Sequence, residues 1–163
     1  LNIQQINWQE AIPIRHQVLW PDKPPVFCEL DGDEAALHLG AFIKGQLVCV
    51  ASVFFDGSRA RLRKFATLQS YQGQGIGAEV LSALLSGNVL KDRGAEVFWC
   101  DARESAMRLY QRFGMSPEGE RFYKGDIPYF KMSVRLEHCA LAKVSASETE
   151  QCKQCTTTAP SQR

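Results

Sequence analysis

The chain lacks any dominant charge. Nineteen Lys and Arg face eighteen Asp and Glu, a formal +1 over 163 residues, too little for a global field that would concentrate nucleic acid or an anionic membrane. Apolar runs near the roughly 20 residues that span a bilayer are also missing, the longest being of the kind LVCVASVFF. The opening LNIQQINWQE has no basic stretch followed by an apolar core, so no export signal is read there. These absences predict a soluble, cytoplasmic protein with neither a nucleic-acid nor a membrane partner.

Cysteine is present without a framework. Of Cys28, Cys49, Cys100, Cys139, Cys152 and Cys155, two lie inside apolar strand-like runs, which suits reduced core thiols. The pair in CKQC has CxxC spacing, but a zinc site needs four ligands and no second pair or His cluster lies nearby. No metal is expected.

At 45% hydrophobic and 10% aromatic, the chain has material for one real core. Composition changes once: from about Cys139 onward, aromatics and periodicity vanish in favour of Ser, Thr, Gln and Lys. Residues 1–137 are therefore read as one domain and 138–163 as a flexible polar tail that buries too little to offset ordering.

Within the domain, AIPIRHQVLW has helical apolar spacing and stops at Pro21. ALHLGAFIKGQLVCVASVFF is two β-rich runs split at Lys44-Gly45, a hairpin signal. After Asp56-Gly57-Ser58, RARLRKFATL alternates, with Arg61, Arg63, Phe65 and Thr67 on one face and Leu62, Ala66 and Leu68 on the other. Downstream, Ile76, Val80, Ala83 and Leu84 recur at helical spacing toward Gly94, read as the C-cap. AEVFWC is a strand ending at Asp101; residues 104–113 form a helix with Ala106, Leu109, Tyr110 and Phe113 on one face; RFYKGDIPYFKMSVRL supplies the last strands. The class predicted is α/β, with a mixed, mostly antiparallel sheet and one parallel strand-helix-strand crossover.

The stretch LQSYQGQGIGAEVLSALL sets Gly73, Gly75 and Gly77 between a strand and a helix. A helix N-terminus offers unbonded N–H groups and a positive dipole end, and bare Cα atoms let a phosphate come close. Gly73, Gly75 and Ala78 also satisfy the dinucleotide fingerprint G-x-G-x-x-G/A, with Asp101 at the next strand end for a ribose hydroxyl. Against that, QSYQ intervenes after the strand and a hairpin meander comes first. No Gly-Lys-Ser/Thr follows, which excludes a P-loop.

The second reading takes in Gln72. Residues 72–77, QGQGIG, fit Gln/Arg-x-x-Gly-x-Gly/Ala and resemble the acyl-CoA pyrophosphate loop of the GNAT acetyltransferase superfamily. IRHQVLWPDKPP and HLGAFIKGQLVCVAS resemble its first helix and central hairpin. SAMRLYQRFGM is similar to its Ala-x-x-x-Tyr-x-x-x-Gly-Phe helix, with Met115 where Phe is usual. The likeness covers roughly residues 3–136. A looser likeness to ElaA-type members runs through LDGD and GDIPYFKM, with Tyr129 where those carry His.

The resemblance implies an N-acetyltransferase acting as a monomer or homodimer, with acetyl-CoA as cosubstrate and an unidentified amine acceptor. It places the pyrophosphate on the amides of Gln72, Gly73, Gln74, Gly75, Ile76 and Gly77, and the pantetheine arm along the main chain of Phe65, Ala66 and Thr67 as an added strand. It gives Tyr110 the role of acid toward the CoA thiolate, since a phenol keeps its proton at neutral pH; helical position alone reads Tyr110 as a core residue, and the surrounding signature reverses that reading. Arg103 stands where the family often has a CoA-contacting Asn. A non-catalytic acyl-CoA-binding module and a nicotinamide-dependent oxidoreductase are the alternatives.

The base stays open. RLRKFATL has no acid or His, Asp101 is either a proton relay or a cap, and His38 either a base or core. CELDGDEA reads as a solvated acidic loop, and Arg59, Arg61, Arg63 and Lys64 as a solvated basic strand edge.

Overall fold

The structure, a computed structural model, describes residues 1–136; Cys139, the Cys152/Cys155 pair and the expected tail lie outside the described residues. Strands β1 (Asn2–Ile6), β2 (Leu37–Ile43), β3 (Gln46–Asp56), β4 (Arg59–Thr67), β5 (Val97–Arg103), β6 (Ser116–Pro117), β7 (Phe122–Lys124) and β8 (Ile127–Arg135) form a sheet in the order β1-β2-β3-β4-β5-β8-β6, with β7 on β8. The helices among the described residues are α1 (Trp8–Leu19), α2 (Ile76–Ser86) and α3 (Met107–Arg112). β4 and β5 pair in parallel and the other recorded pairs are antiparallel, the α/β class expected. The described residues fall into two compact units: Leu1–Phe54 with Leu62–Val80, and Phe55–Arg61 with residues 81–136.

In the first unit, α1 begins before the apolar run that announced it. Asn7 Oδ1 accepts from the Glu10 amide at 3.0 Å and Glu10 Oε1 from the Asn7 amide at 3.1 Å, a reciprocal cap that sets the start at Trp8. Pro13 sits inside the helix, which forgoes one backbone bond there. At the other end the Trp20 amide bonds the His16 carbonyl just ahead of Pro21. β1 was not anticipated, because NIQQI is largely exposed and lacks the alternation of a half-buried strand; it pairs with β2 from Asn2↔Phe42 to Ile6↔His38. The β2–β3 hairpin turns at Lys44 and Gly45, both at positive φ (51° and 79°), the two-residue geometry that matches strand twist.

The interior of this unit holds a polar knot. Arg15 is fully buried on α1. Its guanidinium makes a fork onto Asp33, Nη1 to Oδ2 and Nη2 to Oδ1, both at 2.9 Å. It also donates to the Cys28 carbonyl at 3.0 Å and to Ser52 Oγ at 2.9 Å. Asp33 Oδ2 further accepts from the Leu30 amide at 2.8 Å. His38 Nε2 lies 2.8 Å from the Asp33 carbonyl and Nδ1 2.7 Å from Ser52 Oγ. A carbonyl only accepts, so Nε2 carries the proton; Ser52 already accepts from Arg15, so its own hydroxyl proton goes to Nδ1. Every one of these contacts is satisfied by a neutral His38.

One expectation changes here, and the open choice for His38 narrows. Asp33 is not a solvated carboxylate but is 2% exposed, because a buried guanidinium requires a paired anion; Glu29, Asp31 and Glu34 are exposed as read. His38 is a core residue, 3% exposed with both ring nitrogens engaged.

In the second unit, β5 alternates, with Phe98, Cys100 and Ala102 buried, and pairs with β8 from Val97↔Arg135 to Arg103↔Tyr129. A 3-10 turn, Glu104–Ala106, runs into α3, and Ala106, Leu109, Tyr110 and Phe113 are all buried, as their spacing implied. Gly94 is not the cap of α2. That helix stops at Ser86, and Gly94 (φ 85°) closes the separate 3-10 turn Lys91–Arg93. Ser86 and Gly87, weak helix formers, lie at the break.

Asp33 carries a stability prediction. Burial pushes its carboxyl up, but the hydrogen bonds from Arg15 and Leu30 and the charge of Arg15 outweigh that and hold it below the ordinary value. A folded value below the unfolded one stabilises above the unfolded value, about 3.9, and that contribution fades as pH falls through the lower folded value. Asp33→Ala, which strands Arg15, is expected to cost about 3–5 kcal/mol in urea unfolding at pH 7, and the difference from the parent should shrink below pH 4.

Candidate active site

The glycine loop lies wholly in the first unit. β4 ends at Thr67, and the Leu68 amide bonds the Val48 carbonyl on β3 at 2.9 Å. The intervening QSYQ is a 3-10 turn, Gln69–Tyr71, in which the Tyr71 amide bonds Leu68 O and the Gln72 amide bonds Gln69 O. Tyr71 Oη reaches Gln46 Oε1 at 3.3 Å, and Gln72 Nε2 donates to the Thr67 carbonyl at 2.9 Å. Gln72 thus ties the loop back onto the strand end, its amide and its carboxamide N–H both engaged within the chain.

Gly73 and Gly75 follow at φ 79° and 83°, where a side chain is strained. A Cβ on Gly73 would meet nothing within 4 Å, so the demand there is conformational and the space above it is open. The Gly75 carbonyl takes the first helical bond, from Glu79 at 3.1 Å. Helix geometry leaves the amides at the head of α2, from Gly75 onward, without intrahelical acceptors. Gly73 and Gln74 are exposed, Gly75 is half-buried, and Ile76 and Gly77 are buried. Gln74 Nε2 donates to the Ser70 carbonyl at 3.3 Å.

Upstream, β4 does not keep one parity. Exposure alternates as far as Arg63 and then fails: Lys64 has φ 52°, and Phe65, Ala66 and Thr67 are all buried. A left-handed residue puts a kink into the strand, so the shared face expected for Arg61, Arg63, Phe65 and Thr67 ends at Lys64. Nothing in the residue type signals this, since Lys has no preference for positive φ. Recorded pairing to β5 runs over Arg59–Arg61; 62–67 lie beyond it. Thr67 Oγ1 donates to the buried Cys49 sulfur at 3.3 Å.

The basic cluster is not a solvated edge. In the first unit Arg63 lies 5.2 Å from the Phe54 ring centroid and Lys64 Nζ 5.6 Å from that of Trp20. In the second, Arg59 and Arg61 flank Trp99 at 5.7 and 4.6 Å. β4 has neighbours on both sides in the sheet order, and aromatic faces hold these cations by cation–π attraction.

Tyr110, in the second unit, is 6% exposed on α3. Its side chain hydrogen-bonds the Cys100 thiol on β5, a bond that only partly offsets the burial pushing Cys100 up to about 12. Asp101 caps nothing: its Oδ2 accepts from Arg61 Nη2 at 2.9 Å and lies 3.4 Å from Lys124 Nζ. Arg103 is exposed at the end of β5. Among the described residues, no group of three or more His, Cys, Asp or Glu is placed to hold a metal ion, and no helix is long and apolar enough to cross a membrane.

Comparison with known proteins identifies the family. The family model described as an acetyltransferase (GNAT) domain matches residues 27–136. The chain belongs to the GNAT acetyltransferase family. By that membership it is an acetyl-CoA-dependent N-acetyltransferase. The uncharacterized N-acetyltransferase YitI of Bacillus subtilis (strain 168) is 31% identical over 137 residues, 78% of this chain and 89% of YitI. Among solved folds, Escherichia coli ElaA superposes with a TM-score of 0.66 at 18% identity, covering 82% of this chain and 99% of ElaA. A GNAT family acetyltransferase from Elizabethkingia anophelis with acetyl-CoA bound gives 0.61 at 13%, covering 82% and 97%.

The thiols give a check on this core that needs no substrate. Burial pushes both Cys49 and Cys100 up to about 12 and raises Cys28 as well, and the thiolate is the reactive form. Peptide mapping after iodoacetamide at pH 8 should find all three unmodified in the folded protein and modified once denatured.

Proposed function

We propose that residues 1–137 form the catalytic domain of an enzyme that moves the acetyl group of acetyl-CoA to a primary amine by direct attack. The observation that carries the reading is the glycine loop: two residues of left-handed backbone, Gly73 and Gly75, bring the chain into α2 with its first amides unbonded. The pyrophosphate would take N–H groups of residues 73–77 and the favourable dipole end. Gln72 acts by bracing that loop through Thr67 O. Residues Phe65, Ala66 and Thr67, beyond the β4–β5 ladder, offer main chain to an extended amide-rich pantetheine arm. The kink at Lys64 would aim a main-chain N–H of this segment at the acetyl carbonyl, where it stabilises the oxyanion. Arg103 is assigned to a CoA phosphate.

In the reaction the amine lone pair forms the new C–N bond, the carbonyl becomes an oxyanion, and collapse breaks the C–S bond with its electrons on sulfur. Tyr110, matched by the family signature, supplies the proton to that thiolate. Asp33 and His38 are committed to Arg15 and Ser52, so water rather than either side chain takes the ammonium proton.

Thiol release measured with acetyl-CoA and a panel of amines tests the reading. Turnover on some amine is expected, with Tyr110→Phe lowering kcat by about a hundredfold at unchanged acetyl-CoA affinity. Binding without turnover across the panel would favour a non-catalytic acyl-CoA module, and failure to bind acetyl-CoA would end both readings.

A further inference from the structure

In the second unit the two faces of the sheet differ. Val97, Trp99 and Asp101 on β5 alternate with the buried Phe98, Cys100 and Ala102, and so stand on the opposite face. Register sets Arg59 and Arg61 of β4 beside Val97 and Trp99, and Ser133 and Lys131 of β8 beside Trp99 and Asp101. Each of these side chains is half-buried, whereas Ala60, Met132 and Val134, which alternate with them, are buried. The Trp99 face therefore reaches solvent.

Charge on this face is unbalanced. Lys131 Nζ lies 4.5 Å from the Trp99 ring centroid, the Arg61 guanidinium 4.6 Å and that of Arg59 5.7 Å, so three cations gather on one indole. Each neighbouring carboxylate is shared between two cations. Asp101 Oδ2 is 2.9 Å from Arg61 and 3.4 Å from Lys124, while Glu118 is 3.4 Å from Arg59 and 3.6 Å from Lys131. Glu118 is ionised, because a hydrogen bond from Ser133 and the charges of Lys131 and Arg59 hold its carboxyl below the ordinary value. Glu104, the next acid after Asp101, is engaged by Arg121 at 2.6 Å. Four cations thus share two acids, a local positive excess on a chain whose whole formal charge is only +1.

We propose that this face docks an acidic segment of a partner polypeptide, whose carboxylates pair with Arg59 and Lys131 and with Arg61 and Lys124. Spaced carboxylates can meet spaced cations one by one, and guanidinium forks bind them as charge-assisted pairs. The ring and the two acids already hold the cations in place, so little side-chain freedom is lost on binding. Other occupants fit less well. A second copy presenting the same face would bring two positive surfaces together. Residues 137–163 of this chain carry three acids against three Lys and Arg and offer no complementary charge. A nucleic acid would set its phosphates against Asp101 and Glu118, and its bases would compete with the cations already on Trp99. The inference is independent of the acetyl-transfer mechanism, since none of these residues was given a part in it.

Fluorescence anisotropy of a labelled peptide of mixed Asp and Glu, titrated with the full-length protein, tests this. The peptide should bind, with affinity falling as ionic strength rises. Arg59→Gln and Lys131→Gln should each weaken binding about fivefold. Lys91→Gln removes the same charge from an exposed position in the 3-10 turn Lys91–Arg93, outside these strands, and should leave binding unchanged. Absence of peptide binding would overturn the proposal. So would an equal loss in Lys91→Gln, which would reduce the effect to attraction by net charge. Tighter binding of a single-stranded oligonucleotide of matched charge would assign the face to nucleic acid instead, and a dimer in sedimentation that Lys131→Gln dissociates would assign it to a second copy of the chain.

Discussion

A guanidinium with no access to solvent has to be answered where it lies, and in the first unit the answer organises the chain around it. Arg15 on α1 collects Asp33, the Cys28 carbonyl and Ser52 on β3, so segments far apart in sequence share one set of bonds. Removing one partner leaves an uncompensated charge, which makes the arrangement all or none. The connection from α1 to β2 has only short 3-10 turns at Pro25–Cys28 and Asp33–Ala35. It is held at Cys28, Leu30 and Asp33 by this knot rather than by a helix of its own. That is why a proline-rich stretch can expose Val26 and Phe27 and still keep one geometry.

A second constraint acts at the head of α2. Left-handed backbone at Gly73 and Gly75 puts the turn where L side chains are strained, and the amides that follow have no partner that the helix itself can supply. Lys64 pays a similar conformational cost without being a glycine. Strain retained at a bulky residue, next to a main-chain segment suited to binding an extended ligand, accords with a site whose geometry is fixed before the ligand arrives. The polar side chains of the loop, Gln72 and Gln74, brace it by bonds to Thr67 and Ser70, leaving anion recognition to backbone groups.

The fold was readable where side-chain period and turn chemistry agree: Lys44-Gly45 marked the hairpin, the spacing of Ala106, Leu109, Tyr110 and Phe113 marked a buried helix face, and the glycine loop stood out from its composition. What escaped reading had no local signal. β1 is polar and owes its place to backbone pairing with β2. Asp33 looks like its exposed neighbours until Arg15, eighteen residues away, is folded against it. The shift at Lys64 is a matter of backbone geometry that alternation cannot foretell, and the break in α2 left Gly94 capping a turn instead of the helix. Of the candidate site, the loop was legible as a motif; the duties of Gln72, tied to Thr67 and Gln69, appear only in three dimensions.

Amide hydrogen exchange with and without CoA tests the central claim most directly, because the claim concerns main-chain N–H groups. The account predicts slowed exchange on CoA addition in peptides covering residues 65–67 and 73–78, with little change in β1 and β2. Binding of CoA that leaves 73–78 unprotected while protecting another segment would contradict it.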